Sequence, residues 1–156
     1  ATAIAKLHES KKKTLQALMN AYVDSLAAKG KARSAYDVKN MVQNHIAKPF
    51  PDWASLPAAE LTAKDVSTIL ARLVGPDAVA KKGRTALKLR AYMAAAYKLA
   101  LGAELDPMVP ASAIGFDLTV NPAAAVPTTK MAAAFQKAGE RTLSVDELRN
   151  YLIRLE

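Results

Sequence analysis

Two groups of polar and basic side chains could bind an anion or read a nucleobase. The first is a short basic turn followed by hydrogen-bonding residues on one side of a helical pattern: Lys31, Arg33, Ser34, Tyr36, Lys39, Asn40 and Gln43. Asn and Gln can bond an adenine edge through two hydrogen bonds, and Lys can reach guanine or phosphate, so such a helix fits a major groove. The alternative is a solvated helix surface, since any surface helix carries polar residues on its outer side.

The second group opens the segment Lys81 to Leu101 and consists of Lys81, Lys82, Arg84, Thr85 and Lys88. A glycine inside a helix costs about 1 kcal/mol relative to alanine, so Gly83 either marks a helix start or allows a close backbone approach. If the helix begins near Gly83, its first free amides, the flanking cations and the Thr85 hydroxyl could bind a phosphate. The alternative is a solvated basic end with a glycine turn.

The distribution of charge supports an anionic partner. The chain carries a net charge of +8, and residues 1–102 hold 17 Lys or Arg against 7 Asp or Glu, whereas residues 103–156 hold 5 against 7. No helical pattern combines a strongly basic face with exposed bulky apolar residues, which favours nucleic acid over a membrane surface. Residues 1–13 are either a solvated tether or a basic arm along a phosphate backbone.

The residues that are missing exclude several kinds of chemistry. The chain has no cysteine and only two histidines, His8 and His45. Without a Cys, His or carboxylate at ligand spacing, His45 is interpreted as a packed or capping residue, and neither a metal nor another cofactor is expected. No nucleophile, base and orienting partner can be assembled, which disfavours a freestanding enzyme and a small-molecule substrate. With no signal peptide or membrane-spanning run, we expect a soluble cytoplasmic chain.

Apolar periodicity predicts an all-α fold with four helices in residues 14–102. The first helix begins after Thr14 as N-cap and ends at Lys29 and Gly30; the second begins at Ser34, with Asp37 completing a capping-box variant. The third begins after Thr62, with Asp65 three residues later, and ends at Gly75. The inward residues of the second to fourth helices are Ala35, Val38, Met41, Val42, Ile46, then Val66, Ile69, Leu70, Leu73, then Ala86, Leu89, Tyr92, Met93, Ala96, Tyr97 and Ala100.

The remaining chain has a different character. Six Pro or Gly residues interrupt residues 103–140, which are interpreted as a linker that partly packs on the helical domain. Residues 141–156 then predict one more helix, with Ser144 as N-cap, Glu147 in a capping box, and Leu143 and Leu148 as a hydrophobic staple. Its apolar residues lack an obvious partner, which suggests the beginning of a second domain. Trp53 and Tyr151 are interpreted as packing residues.

The order of these features resembles the tyrosine recombinases, and within them the phage-type integrases. Residues 14–46, TLQALMNAYVDSLAAKGKARSAYDVKNMVQNHI, are similar to the opening of their core-binding domain, a SAM-like four-helix orthogonal bundle. LTAKDVSTIL resembles its third helix, GRTALKLRAYMAAAYKLAL its long fourth helix, and Asn121-Pro122 the Asn-Pro that commonly follows. RTLSVDEL, from Arg141 to Leu148, is similar to the start of the catalytic domain.

The resemblance implies a domain that grips double-stranded DNA at a recombination core site, together with other recombinase protomers. The family's catalytic arginines, histidine motif and nucleophilic tyrosine do not appear, and Tyr151 lies too soon after Arg141 to be that nucleophile. The chain is therefore expected to bind DNA without cutting it, whereas its full-length parent would cleave and rejoin strands through a phosphotyrosine. The alternative function is a helical protein-docking module without DNA affinity.

Overall fold

Most of the described chain is helical, and a largely irregular segment follows residue 101. The structure is a computed structural model that describes residues 3–4, 13–78, 82–133 and 144–154, without the side chains of Glu147 and Tyr151. The α-helices are α1 (Leu15–Ala28), α2 (Ala32–Val42), α3 (Pro51–Ala54), α4 (Ala63–Val74), α5 (Gly83–Leu101) and α6 (Val145–Arg154). A π-helical turn, Gln43–Ala47, continues α2, and 3-10 turns span Ala58–Glu60, Ala103–Leu105 and Ala111–Ala113. No β-strand occurs in these ranges, which confirms the all-α prediction for the described chain.

The ends of α1 follow the sequence signals. The Thr14 hydroxyl accepts a hydrogen bond from the Ala17 amide at 3.1 Å, so Thr14 is the predicted N-cap. At the other end, the Gly30 amide donates to the Ala27 carbonyl and the Lys31 amide to the Leu26 carbonyl. This pair of bonds is a Schellman motif, which requires a left-handed residue, and Gly30 has a φ of 75°. The chain therefore reverses within two residues and enters α2 directly.

The predicted start of α2 is wrong. The helix begins at Ala32 after Lys31, which provides no side-chain cap, so Ser34 lies inside the first turn and is not the N-cap. Asp37 does not complete a capping box, because its carboxylate accepts hydrogen bonds from α5 instead. Because the Schellman motif already turns the chain at Gly30 and Lys31, α2 begins three residues earlier than the predicted Ser34 cap would allow. The inward residues are as predicted, since Ala35, Val38, Met41, Val42 and Ile46 are all buried.

Helix α5 is central to the core. Its residues Ala86, Leu89, Met93, Ala96 and Tyr97 are all fully buried, and the predicted apolar face is confirmed, with Tyr92 and Ala100 at its half-buried edges. Helices α1, α2 and α4 all contact α5. Helix α4 carries the predicted capping box between Thr62 and Asp65, and buries the predicted Val66, Ile69, Leu70 and Leu73.

Two aromatic residues hold the connections between helices. The buried Tyr97 hydroxyl donates to the Ala58 carbonyl at 2.7 Å, which ties the α3–α4 connection to α5. Burial raises the pKa of this hydroxyl, so it remains a hydrogen-bond donor throughout the physiological range. At α3, Trp53 stacks on Phe50, the residue before this helix, with ring centroids 4.9 Å apart, and both rings pack against the core. The structural interpretation of Trp53 is therefore confirmed.

The segment after α5 packs back onto the bundle. The Asn121 side-chain amide donates to the Ala94 carbonyl at 2.9 Å, and the Arg90 guanidinium donates to the carbonyls of Ala124 and Val126. Its buried residues include Phe116, Ala123, Val126 and Met131. The division of the chain into domains at residues 13, 102 and 140 stays a prediction.

Helix α6 begins directly after Ser144, where the sequence predicts a helix start. Val145, Leu148, Leu152 and Ile153 are exposed. The sequence predicts Leu143 in a hydrophobic staple, Glu147 in a capping box and Tyr151 as a packing residue. The structure does not describe Leu143 or the side chains of Glu147 and Tyr151, so these predictions lie outside the described residues. None of the helices in the described ranges is long and apolar enough to cross a membrane.

The Tyr97–Ala58 hydrogen bond leads to a prediction about stability. The change Tyr97→Phe removes the short bond to the Ala58 carbonyl and leaves it only the longer bond from the Leu61 amide at 3.4 Å, so we expect it to lower the free energy of unfolding by about 1 kcal/mol. The measurement is urea unfolding followed by circular dichroism, with an unchanged m-value. The matched control is Tyr36→Phe, because Tyr36 is 70% exposed and should shift stability by less than about 0.5 kcal/mol. Equal stabilities of the two variants would contradict the prediction.

Candidate nucleic-acid interface

The outer side of α2 presents the predicted hydrogen-bonding residues to solvent. Tyr36, Lys39 and Asn40 are exposed, and so is Gln43, which begins the π-helical turn. We call these four residues the α2 stripe. A π-helical turn inside a helix is rare and often lies at a functional site. The exposure of the stripe is confirmed, whereas contact with a base or a phosphate stays a prediction.

The basic turn before the stripe is also at the surface. Lys31 and Arg33 are exposed, and Ser34 is half-buried in the first turn of α2. Arg33 lies one turn before Asp37 on the same side of the helix, close enough that its charge helps to lower the Asp37 pKa. Lys31, Arg33 and Ser34 therefore lie at the start of the helix that carries the α2 stripe.

The start of α5 forms the second part of the surface. The helix begins at Gly83, so of the two interpretations of this glycine the structure has the helix start. The Lys82 amide donates to the Leu73 carbonyl at 2.9 Å, which orients this end of α5 against α4. Lys82 and Arg84 have exposed side chains, and Thr85 is half-buried. Lys81 lies outside the described residues.

Asp37 joins the two parts. Its carboxylate accepts a hydrogen bond from the Tyr92 hydroxyl at 2.6 Å, and the Lys88 ammonium lies 2.8 Å from the same Oδ2 atom. The predicted anion-binding residue Lys88 is therefore ion-paired with α2. The hydrogen bond from Lys88, then that from Tyr92, lowers the pKa of the Asp37 carboxyl below its ordinary value.

Tyr92 is the other member of this junction that sequence reasoning missed. The apolar periodicity predicts Tyr92 on the buried face of α5, and its ring does lie half-buried, with its centroid 6.4 Å from that of Tyr22. Burial first, and then the hydrogen bond to Asp37, raise the pKa of Tyr92 to about 12, so the hydroxyl stays protonated. The sequence does show one acidic residue, Asp37, within a basic helix surface. Its spacing to Ser34, however, predicts a helix cap and not a contact with Tyr92.

The two helices approach each other at a second place. His45, in the π-helical turn, has its pKa lowered by burial first and then by the charges of Arg72 and Lys82. Lys82 also lines one cavity with Arg72 and with Phe50, which follows this π-helical turn, so the C-terminal extension of α2 lies near the start of α5. The two candidate groups, about fifty residues apart in sequence, thus lie side by side, with Asp37 and Lys88 at their junction.

The chemistry of this surface is that of hydrogen bonding and positive charge. In the described ranges, no cluster of three His, Cys, Asp or Glu residues could hold a metal ion. His45 is half-buried, as expected for a packed residue, and its Nδ1 atom is buried without a hydrogen-bond partner. The surface is suited to contacts with an extended polyanion.

Comparisons of the chain with protein-family models, with curated protein sequences and with solved structures give no match. Membership of the recombinase family therefore stays a prediction from the sequence motifs.

The junction leads to a prediction about acid titration. The change Lys88→Met removes the largest cause of the low Asp37 pKa, so the pKa should rise toward its ordinary value in a carboxyl ¹³C NMR titration. Because the folded-state pKa of Asp37 lies below its unfolded value, the junction stabilises the fold above the unfolded pKa. That stabilisation is lost as the pH falls through the folded-state pKa, so Lys88→Met should flatten the acid side of the stability profile. The control Lys64→Met should leave the Asp37 titration unchanged, and an unmoved titration in Lys88→Met would refute the assignment.

Proposed function

We propose that this chain binds double-stranded DNA through the α2 stripe and the basic start of α5. The observation that carries the proposal is the junction at Asp37, because two separately identified groups adjoin there. The exposed cations of the two groups are Lys31, Arg33, Lys39, Lys82, Arg84 and Lys88. Such an excess of cations attracts phosphate at long range and steers association.

The dimensions of α2 suit a major groove. From Tyr36 to Gln43 the helix rises about 10 Å, at 1.5 Å per residue, and a major groove about 12 Å wide admits one α-helix. Asn40 and Gln43 then supply the donors and acceptors that base edges recognise, while Lys39 and the cations of α5 bind the flanking phosphates. Base contacts give such a complex its specificity, and phosphate contacts give it its orientation.

The more detailed proposal is the core-binding domain of a phage-type tyrosine recombinase. It is supported by the order of the sequence motifs and by the all-α architecture, to which a SAM-like four-helix bundle would conform. In this proposal the chain grips a recombination core site, α6 begins the catalytic domain, and strand cleavage belongs to the full-length parent. Its partners are then the DNA duplex and other recombinase protomers.

Salt dependence tests the proposed DNA surface. We expect the double change Lys39→Ala with Lys82→Ala to remove one phosphate contact from each helix. On B-form DNA the slope of log K against log salt changes by about 0.9 for each lost contact, so the double variant should bind with a slope flatter by about 1.8. The measurement is fluorescence anisotropy of a labelled duplex at salt concentrations from about 50 to about 200 mM.

The control removes the same charge elsewhere. Lys64 and Lys98 are exposed, and Lys98 lies 14 residues, or about 21 Å, along α5 from Arg84. The double change Lys64→Ala with Lys98→Ala should therefore keep the slope of the unmodified chain. An equal flattening in both double variants would indicate non-specific attraction, and no duplex binding by the unmodified chain at low salt would refute the proposal.

A second function is favoured by the exposed apolar residues. Leu148 and Leu152 are exposed one turn apart on α6, and Leu105 and Met108 are 93% and 83% exposed. Such residues are typical of a protein-docking surface. If the chain is a docking module that self-associates, its apparent mass in sedimentation velocity should rise with concentration. The double change Leu148→Asp with Leu152→Asp should abolish that rise. Loss of self-association in this variant, with no DNA binding by the unmodified chain, would favour docking over the DNA interface.

A further inference from the structure

One carboxylate lies inside the basic surface. Asp37 has Lys88 and Tyr92 of α5 against its Oδ2 atom, and the charge of Arg33 acts on it from its own helix. Electrostatic attraction of a polyanion does not require a negative charge at this point of the surface. The position of Asp37 therefore calls for an explanation beyond electrostatic attraction.

The two groups that donate to Asp37 are of kinds that could also donate to a DNA phosphate. An ammonium and a hydroxyl both donate to phosphate oxygens in protein–DNA complexes, and here both donate to a carboxylate oxygen. We propose that Asp37 occupies Lys88 in the free protein and yields it to a backbone phosphate when DNA binds, so that Asp37 limits the affinity of the surface. This inference rests on the proposed DNA-binding function and names a regulatory element of the same site.

The geometry allows such an exchange. The Lys88 and Asp37 side chains are 52% and 38% exposed, and an exposed ion pair is weak because water screens it. Asp37 would keep the Tyr92 hydrogen bond and the nearby Arg33 charge after Lys88 leaves, so the carboxylate would not be left without compensation. The long lysine stem can move its ammonium without moving α5.

A test of the exchange begins with Lys88. If Lys88 contacts phosphate in the complex, Lys88→Ala should flatten the slope of log K against log salt by about 0.9. If Lys88 stays on Asp37 in the complex, the slope should not change, and that result would overturn the inference. Because Lys88 is half-exposed, this variant provides a test that does not depend on a substitution at Asp37.

Asp37→Asn supplies the second arm. Asn is similar in shape and keeps an acceptor for the Tyr92 hydroxyl, but it does not hold the ammonium by charge. Without the competing ion pair, we expect duplex affinity at 100 mM salt to rise by up to about fivefold, the range of an exposed pair. In the Lys88→Ala background the same change should give little or no rise. The charge-matched control is Glu60→Gln, because Glu60 is exposed and lies away from the junction. It is two residues from Ala58, which accepts the Tyr97 hydrogen bond, and Tyr97 lies about 14 Å along α5 from Lys88.

The outcomes separate the inference from the proposed function. Suppose the unmodified chain binds the duplex. If Asp37→Asn then leaves the affinity unchanged, or if Glu60→Gln raises it equally, the exchange is overturned and the DNA interface stands. No duplex binding by any of these proteins at 50 mM salt would overturn both. Support for the exchange requires the Lys88-dependent rise in Asp37→Asn together with the flatter slope of Lys88→Ala.

Discussion

Burial of one face of α5 is the constraint on which the rest of the structure depends. Ala86, Leu89, Met93, Ala96 and Tyr97 are removed from water completely, and α1, α2 and α4 all contact this helix. Apolar burial supplies most of the stabilisation but is not directional. Because the buried face fixes the rotation of α5 about its axis, it also fixes where Arg84 and Lys88 emerge at the surface.

A small number of polar bonds add direction to this packing. Tyr97 connects α5 to the carbonyl of Ala58, and Asn121 and Arg90 connect it to the segment that follows. The bond from Tyr92 to Asp37 has a different location, because it lies at the edge of the core where α2 and α5 reach solvent. Packing and the candidate interface are therefore coupled through one residue, Tyr92, whose ring belongs to the core edge and whose hydroxyl belongs to the surface.

The proposed DNA interface has both parts that recognition needs. The α2 stripe presents amide and hydroxyl groups on a rigid helix, and the α5 start presents cations at its flank. A rigid support keeps base-reading side chains in position, and long basic side chains adapt to the phosphate backbone. Asp37 at the junction gives this arrangement a polar contact that holds the two helices together without DNA.

The sequence by itself determined the four longer helices of residues 14–102, the buried faces of α2, α4 and α5, and the exposure of the α2 stripe. Apolar spacing at 3.6 residues identified the buried positions of α2, α4 and α5, because the periodicity of a helix records which side avoids water. Local cap signals located Thr14 and Thr62 correctly, since those bonds close within three residues. Only the tertiary structure decided the role of Asp37, whose partners lie 51 and 55 residues away on α5. Its short-range spacing to Ser34 suggests a cap, but α2 begins at Ala32, and the cation and hydroxyl that Asp37 contacts belong to another helix, which no sequence window around Asp37 contains.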